Sequence, residues 1–226
     1  YEKNLPSEWR RQPVGTARGM DIHESQSLLI EMQACRSLEF FSFATPLMKE
    51  AFGCSGPEWT PDNIYRNCTK IRPGLVRVDA DEVTYPLHII LRYRLEKLLL
   101  SDTISLDDLP AAWEDSMKEL LGITPSNDRN GCLQDIHWFD GAFGYFPSYT
   151  FGAVTAAQFF RAATEEDHSI LPEIQSGNFK PLLEWLCKNV HSKGSYLGTS
   201  DLIERATGED LNADVFIEHL RQRYLA

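Results

Sequence analysis

Residues 105–122, SLDDLPAAWEDSMKELLG, show which kind of secondary structure builds this protein. Ser105 is a typical residue at the start of a helix, and the apolar residues after it recur at the spacing of a helical face. Gly122 is typical of the position just after a helix ends, and the polar turn ITPSNDRNG (123–131) follows it. The stretch therefore predicts a helix with a defined start and a defined end.

Helical spacing is found on both sides of this stretch. Upstream, Asp21 is predicted to cap a helix in a capping box with Glu24, and this helix is expected to extend to Phe52 with Pro46 as a kink or break. Residues 79–100 return to the helical pattern. Downstream, the same periodicity is found in the segments 150–166, 179–192, 200–207 and 212–225.

Other segments depart from the helical pattern. Residues 75–78 have the apolar, branched character of a strand. The segment CLQDIHWFDGAFGYFPSYTFG (132–152) is too rich in aromatic residues and glycines for a long helix, and it predicts a short strand or hairpin. Residues 1–20 contain prolines and glycines with little periodicity and are expected to form a connecting loop. The predicted fold class is therefore mainly α with a small β element.

The composition is that of a soluble globular protein. Of 226 residues, 42% are hydrophobic and 24% are charged, and no apolar run is long enough to span a bilayer. The formal charge of -11 argues against nucleic acid or an anionic membrane as a partner, because both favour a basic surface. The five cysteines are widely spaced, with no CxxC pair, and no secretory signal is found. We therefore expect a cytoplasmic protein that binds neither nucleic acid nor a membrane.

His23 and Glu24 stand at the predicted start of a helix. From spacing alone, Glu24 is either a carboxylate that compensates the helix dipole or the acidic ligand of a zinc site with two histidines and one carboxylate. His23 is a poor second ligand for the same ion, since neighbouring side chains on a helix point about 100° apart. A zinc site at this position therefore needs two further ligands.

Four blocks of the sequence resemble, in order and spacing, the signature blocks of the Taq-type metallocarboxypeptidases. HESQSLL (23–29), VRVDADE (76–82), GCLQDIHW (131–138) and GYFPSY (144–149) are similar to the family blocks HESQ, IRxxADE, GxxQDxHW and GYFPxY. The opening YEKNLPSEW also resembles the segment that follows the zinc helix in this family, so the resemblance covers essentially the whole chain. It implies a helical, cleft-forming fold, zinc or cobalt as the metal, and a homodimer.

The HExxH motif of this family is absent from residues 1–226. In the family, HExxH supplies two histidine ligands on one helical face and the glutamate that acts as general base. The resemblance therefore implies that Glu24 is the one zinc ligand in this chain. It also implies that residues 1–226 are the C-terminal, catalytic-cleft portion of a metallocarboxypeptidase. We expect a missing N-terminal part that carries HExxH to complete the site, and no activity from residues 1–226 alone.

Arg77, in VRVDADE, is the candidate for reading the free C-terminal carboxylate of a peptide, because a guanidinium can bind a carboxylate with two parallel hydrogen bonds. The alternative is an ion pair on the surface with Asp79 or Asp81, and the family resemblance favours the first interpretation. Asp81 itself is expected to cap the next helix or to orient Arg77. Arg72 lies in a similar IRP sequence but lacks the AD pair at the right distance, so it is not a candidate.

His137, in GCLQDIHW, either stabilises developing negative charge, binds the substrate carboxylate, or is an ordinary core residue. The glutamine and the aspartate of the same block are candidates for orienting its neighbours. Tyr145 and Tyr149 follow His137 by eight and twelve residues, similar to the tyrosines that stabilise the oxyanion in related zinc peptidases. The predicted catalytic residues are therefore Tyr149, His137 and Tyr145, while Arg77 and His137 are predicted to bind substrate.

The hypothesis that these residues favour is a zinc carboxypeptidase that releases C-terminal amino acids from peptides with a free C-terminus. A second hypothesis is a non-catalytic helical module for binding or assembly, which the absence of HExxH favours. A third is an endopeptidase of the same zinc clan, which has no need of Arg77 and acts on C-terminally amidated peptides. The blocks around Arg77, His137 and Tyr149 are intact, and they favour the carboxypeptidase.

Overall fold

The structure is a computed structural model that describes residues 1–225. Its regular secondary structure is helical throughout this range, so the prediction of a small β element was wrong. The segment predicted as a strand leads into a short 3-10 turn, Arg77–Asp79. Residues 132–146 form successive turns, in which Gly141 and Gly144 both have a φ of 74°. A backbone that turns at these glycines cannot extend into a strand.

Ten α-helices, α1 to α10, are found in residues 1–225. In chain order they are Met20–Leu28, Leu38–Phe52, Pro61–Cys68, Tyr85–Leu100, Leu109–Leu121, Pro147–Glu166, Ile170–Gln175, Lys180–Asn189, Thr199–Thr207 and Ala213–Leu225. Within the described residues, no helix is both long enough and apolar enough to cross a membrane.

The helices are grouped into two compact units. The first unit contains residues 1–69 and the chain from Phe151 onward, and the second contains Lys70–Thr150. In the first unit the buried apolar side chains come from most of its helices, and they include Ile22, Leu29, Phe159, Ile170, Ile174, Leu182 and Leu202. In the second unit, helices α4 and α5 pack together through Leu91, Leu95, Trp113, Met117 and Leu121.

The start of α1 differs from the predicted capping box. Gly19 occupies the N-cap position with a φ of 34°, and no side chain caps the helix there. Asp21 instead lies in the first turn of α1, where a carboxylate is favourable toward the helix dipole. The α-helical hydrogen bonding ends at Leu28, and a π-helical segment, Leu29–Ala34, follows.

The helix that was predicted to reach Phe52 is interrupted before Ser37 and not at Pro46. Ser37 begins α2, because its side chain accepts a hydrogen bond from the backbone N–H of Phe40 at 3.1 Å and satisfies an otherwise unpaired donor. Pro46 lies inside α2, which continues to Phe52. The helix therefore takes its start from a capping serine rather than from the proline.

For helices α4 and α5, the predicted ends agree with the structure better than the predicted starts. Asp81 accepts hydrogen bonds from the backbone N–H groups of Val83 and Thr84 at 3.0 and 2.8 Å. Thr84 is the N-cap of α4 and no side chain caps this helix, so Asp81 caps the turn that leads into α4 rather than the helix itself. Helix α5 starts at Leu109, later than predicted, because Ser105 pairs with the side chain of Asp108 in a preceding turn. Its predicted end at Gly122 is confirmed, with a left-handed φ of 72°.

Candidate functional site

The structure brings four of the five predicted site residues together in the second unit. Arg77, His137, Tyr145 and Tyr149 contact one another or share Asp135 as a partner. The fifth, Glu24, lies on α1 in the first unit. The roles of these residues in catalysis and binding stay predictions, while their arrangement within each unit is observed.

Arg77 is held in place through its backbone as well as its side chain. The backbone N–H of Arg77 donates to Oε1 of Gln134 at 2.9 Å, and Nε2 of Gln134 donates to the carbonyl of Leu75 at 3.1 Å. The Arg77 side chain donates from Nε and Nη2 to the same oxygen, Oδ1 of Asp135, at 3.0 and 2.7 Å. Arg77 is only 7% exposed, so it does not form the surface ion pair with Asp79 or Asp81.

A second arginine, Arg92 of α4, binds the other oxygen of the Asp135 carboxylate. Its Nε donates to Oδ2 of Asp135 at 2.6 Å, and its Nη1 donates to the carbonyl of His88 at 2.8 Å. The Arg92 guanidinium carbon lies 4.7 Å from the ring centre of Trp113 and 5.6 Å from that of Phe146. Arg92 has no exposed surface. Asp135 is thus shared between two buried arginines.

All three charged groups keep their charge at neutral pH. Burial raises the pKa of Asp135, but the charges of Arg92 and Arg77 outweigh it and leave this pKa below its usual range. Burial lowers the pKa of Arg92 to about 10, which still leaves it protonated. Burial also opposes the charge of Arg77, but its hydrogen bonds to Asp135 prevail and raise its pKa. These three side chains together therefore carry one excess positive charge.

His137 and Tyr149 form a hydrogen-bonded pair next to this cluster. His137 Nε2 lies 2.9 Å from the Tyr149 hydroxyl, and His137 Nδ1 lies 3.8 Å from Oδ1 of Asp135. Burial, followed by the charge of Arg77, lowers the pKa of His137, so the ring is neutral at pH 7. The Arg77 guanidinium carbon lies 4.8 Å from the centre of the Tyr149 ring. The pair is therefore directly adjacent to the cation of Arg77.

Tyr145 completes the aromatic surroundings of His137. Its ring centre lies 5.5 Å from that of His137 and 5.4 Å from that of Tyr149, and Phe146 packs on His137 at 4.4 Å. Phe146 is buried. Tyr145 is half-buried, which leaves part of its side chain open to a ligand.

Sequence reasoning missed a set of buried polar residues on α4. They are spaced by three, four and four positions, so they lie along one face of the helix: Tyr85, His88, Arg92 and Glu96. Glu96 accepts hydrogen bonds from Trp138 Nε1 at 2.7 Å and from the backbone N–H of Gly144 at 2.6 Å. This face therefore holds both Asp135 and the turn between His137 and Tyr145. The sequence pattern that could have predicted this face is a set of polar residues at helical spacing among apolar residues.

His88 on this face makes the stability of the protein pH-dependent. Burial lowers its pKa to about 4, whereas an unfolded histidine has a pKa of about 6.5. Between these values the unfolded chain binds the proton and the folded chain does not, so stability is full above pH ~6.5 and falls by about 1.4 kcal/mol per pH unit below it.

Replacing His88 by methionine is expected to make unfolding less sensitive to acid over this range. Denaturant unfolding measured from pH 7 to pH 4 should show a slope about 1.4 kcal/mol per pH unit smaller than in the wild type. His191, whose pKa burial also lowers to about 4, keeps its own contribution in this variant. The exposed His168, replaced in the same way, is the control and should leave the slope unchanged.

Glu24 lies on α1 where another helix of the first unit approaches it closely. The Ser27 hydroxyl donates to Oε1 of Glu24 at 3.3 Å. A Cβ atom built on Gly152 of α6 would lie 2.9 Å from Cβ and 3.0 Å from Cγ of Glu24, and 3.2 Å from the backbone nitrogen of Ser25. A glycine at position 152 is therefore what allows Glu24 and α6 to approach this closely.

Replacing Gly152 by alanine is expected to destabilise the fold by up to about 2 kcal/mol. The clash with Glu24 costs about 1–3 kcal/mol as overpacking, and a gain of about 1 kcal/mol in helix propensity offsets part of this cost. Denaturant unfolding measures the difference. Gly74, where an added Cβ would meet no atom closer than 4.0 Å, is the matched control. Equal stability of the two alanine variants would contradict the close approach.

The described residues do not form a complete zinc site. Within residues 1–225, no group of three or more histidine, cysteine, aspartate or glutamate side chains is arranged to hold a metal ion. Glu24 supplies one carboxylate, and structural or catalytic zinc takes at least three protein ligands. The assignment of Glu24 as a zinc ligand therefore stays a prediction.

The comparisons with known proteins place this chain among the metallopeptidases. Within that class it belongs to the carboxypeptidase Taq (M32) family, whose model matches residues 1–224. The family inferred from the four sequence blocks is thereby confirmed. The chain is 39% identical to thermostable carboxypeptidase 1 of Thermus thermophilus over 226 residues, and 39% identical to carboxypeptidase 1 of Bacillus subtilis over 228 residues.

Solved structures agree with this assignment. Trypanosoma cruzi metallocarboxypeptidase 1 matches 99% of this chain with a TM-score of 0.94 and 39% identity. A carboxypeptidase of Pyrococcus furiosus matches 99% of it with a TM-score of 0.92 and 35% identity. The match covers 44% and 45% of the two curated relatives and 47% and 45% of the two solved chains. The chain thus spans less than half the length of the relatives it matches.

Proposed function

We propose that this chain supplies the carboxylate-binding and oxyanion-stabilising part of a zinc carboxypeptidase that releases C-terminal amino acids from peptides. The observation that carries the proposal is the contact between a fixed cation and a hydroxyl–imidazole pair. Arg77 is held by Asp135 and Gln134, and its guanidinium lies against the ring of Tyr149, which is hydrogen-bonded to His137.

The hydrogen bonds of Arg77 support a role in carboxylate binding. A guanidinium has five N–H groups. Three of them face partners: Nε and Nη2 donate to Asp135, and Nη1 lies 3.4 Å from the Tyr85 hydroxyl. One N–H group then remains on each terminal nitrogen. Two N–H groups suit a carboxylate, because a carboxylate can accept two parallel hydrogen bonds from arginine.

The pair of His137 and Tyr149 supports a role at the oxyanion. We assign the Tyr149 hydroxyl as the group that donates to a substrate oxygen, with the neutral ring of His137 orienting it. A phenol donates in this way without a change of charge, and such donors stabilise the tetrahedral intermediate of peptide hydrolysis. We assign Tyr145, which packs on both rings, as a further donor in the same place.

The contact between the Arg77 guanidinium and the Tyr149 ring favours an exopeptidase over an endopeptidase. In a carboxypeptidase substrate, the scissile carbonyl and the terminal carboxylate are separated by a single residue, a span of about 3.8 Å between neighbouring Cα atoms. The guanidinium carbon of Arg77 lies 4.8 Å from the ring centre of Tyr149. One terminal residue can therefore reach both groups.

We propose further that Glu24 is one zinc ligand and that a polypeptide segment carrying HExxH supplies the histidines. HExxH does not occur in residues 1–226, so this chain alone is not expected to hydrolyse peptides. When bound, the metal polarises the scissile carbonyl and activates water. A cytoplasmic homodimer in which cobalt can replace zinc completes the proposal.

The proposal is tested on the protein purified from its native source. Intact mass, zinc content and the release of the last amino acid from an N-blocked dipeptide are measured together. We expect about one zinc per site, hydrolysis of the free acid, and none of the same dipeptide with a C-terminal amide. Hydrolysis of the amide would support the endopeptidase. A folded protein without zinc and without hydrolysis would support the non-catalytic helical module, which the incomplete metal site favours.

A further inference from the structure

We propose that Arg92 is a positioning residue that fixes the guanidinium of Arg77 through Asp135 and thereby sets the affinity for the substrate carboxylate. The inference rests on the proposed function, because it takes Arg77 as the group that binds this carboxylate. Arg92 lies outside the four sequence blocks that resemble the family. Its role is inferred from its contacts on α4 and not from the resemblance to the family.

The two arginines bind different oxygens of the Asp135 carboxylate. Arg77 uses only Oδ1, through Nε and Nη2, while Arg92 uses only Oδ2, through Nε at 2.6 Å. Without Arg92, Oδ2 of Asp135 is released and can turn toward Arg77. Arg77 would then bind both oxygens side by side, and the edge of its guanidinium that faces a substrate would change.

Arg92 is itself fixed firmly enough to act as a reference point. Its Nη1 donates to the His88 carbonyl within the same helix, and the rings of Trp113 and Phe146 lie near its planar group. A lysine at this position carries the charge but has neither the planar group nor the fork of donors. The shape of arginine, and not its charge alone, is therefore needed.

The energetics of burial also argue that Arg92 does more than stabilise the fold. Removing a charged group from water costs several kcal/mol, and a buried ion pair is often no more stable than apolar residues of similar volume. The ion pair of the fully buried Arg92 and Asp135, whose side chain is 10% exposed, is thus a weak source of stability. This ion pair does hold the carboxylate that Arg77 binds in one orientation.

The kinetic test uses the whole carboxypeptidase that contains residues 1–226, with R92M, R92K and the control R94M. Arg94 lies on the same helix, is 53% exposed in its side chain, and pairs with Glu119 at 3.4 Å. For an N-blocked dipeptide, we expect R92M to raise KM about tenfold or more with a smaller change in kcat, since a charge-assisted hydrogen bond is at stake. R92K should raise KM by a smaller factor, and R94M should leave it unchanged.

A second readout does not depend on activity. The Nε–H signal of Arg77 is followed by nitrogen-15 NMR and assigned with R77K; buried and bound to Asp135, it should exchange slowly with water in the wild type. We expect faster exchange and a shifted signal in R92M and R92K, and no change in R94M. If the wild-type enzyme does not hydrolyse the dipeptide, the proposed function fails, and this signal still decides the positioning of Arg77.

The proposal is overturned if the folded R92 variants keep both the KM of the wild type and its Arg77 signal. It is also overturned if R92M leaves KM unchanged and lowers only the apparent kcat, in proportion to a loss of folded protein measured by circular dichroism. If R92M does not fold, R92K decides by the same two criteria, because it retains the charge that Asp135 needs.

Discussion

Replacing Arg77 by methionine is expected to lower kcat/KM for an N-blocked dipeptide about 100-fold, mainly through a higher KM. Two charge-assisted hydrogen bonds to the substrate carboxylate are lost, and each contributes about 1.5–3 kcal/mol to the binding free energy. Part of this binding free energy is recovered, because the variant has no cation that must be desolvated when substrate binds. Steady-state kinetics on the whole carboxypeptidase measure the effect. The same variant should discriminate much less between a dipeptide acid and its amide.

Arg72 provides the matched control for this experiment. It lies in the similar IRP sequence, is exposed, and uses its backbone N–H rather than its side chain to bind Asp81. Replacing Arg72 by methionine should leave KM and kcat unchanged. Equal effects of the two substitutions would mean that positive charge in general, and not the fixed fork of Arg77, attracts the substrate.

Replacing Tyr149 by phenylalanine is expected to lower kcat by about 100- to 1,000-fold with little change in KM. The substitution removes the hydroxyl that we propose donates to the oxyanion, and losing one such donor costs about that factor in rate. The ring that packs against Arg77 is retained, so binding of the substrate carboxylate should be retained as well. Single-turnover and steady-state rates with the N-blocked dipeptide separate the two parameters.

Two further tyrosines show whether the effect is specific to Tyr149. Tyr93 on α4 is 46% exposed and, replaced by phenylalanine, should leave kcat unchanged. Tyr145, replaced in the same way, should lower kcat by a smaller factor, since its hydroxyl is not bound to His137. A larger loss for Tyr145 than for Tyr149 would reverse the assignment of the principal donor.

The helices of this chain were predictable where local chemistry marks their ends. Gly122 ends α5 because the left-handed backbone conformation at this position suits glycine. Helices α3 and α7 were missed, since eight and six residues give little periodicity. The β element was wrong because residues 132–146 form turns, and Tyr145 and Phe146 at their end contact His137. The local pattern of aromatic and branched residues does not contain these tertiary contacts.

The site residues were found by family resemblance rather than by spacing. Spacing alone could not bring Arg77 to Asp135, which is 58 residues away in the chain. It could not show that one carboxylate serves two arginines either. The polar face of α4 was the part that careful reading of periodicity could have found, because buried Arg92 and Glu96 stand at positions where an apolar helix face would otherwise continue.

The contacts of the polar face of α4 fix the number of residues between Tyr85 and Glu96. A helix rises about 1.5 Å and turns about 100° per residue, so the eleven steps from Tyr85 to Glu96 span about 16 Å and fix the height and direction of each contact. Inserting or deleting one residue inside this interval would rotate Arg92 or Glu96 away from its partner. Changes of length in this part of the chain should therefore be tolerated in the turns before and after α4, and not within it.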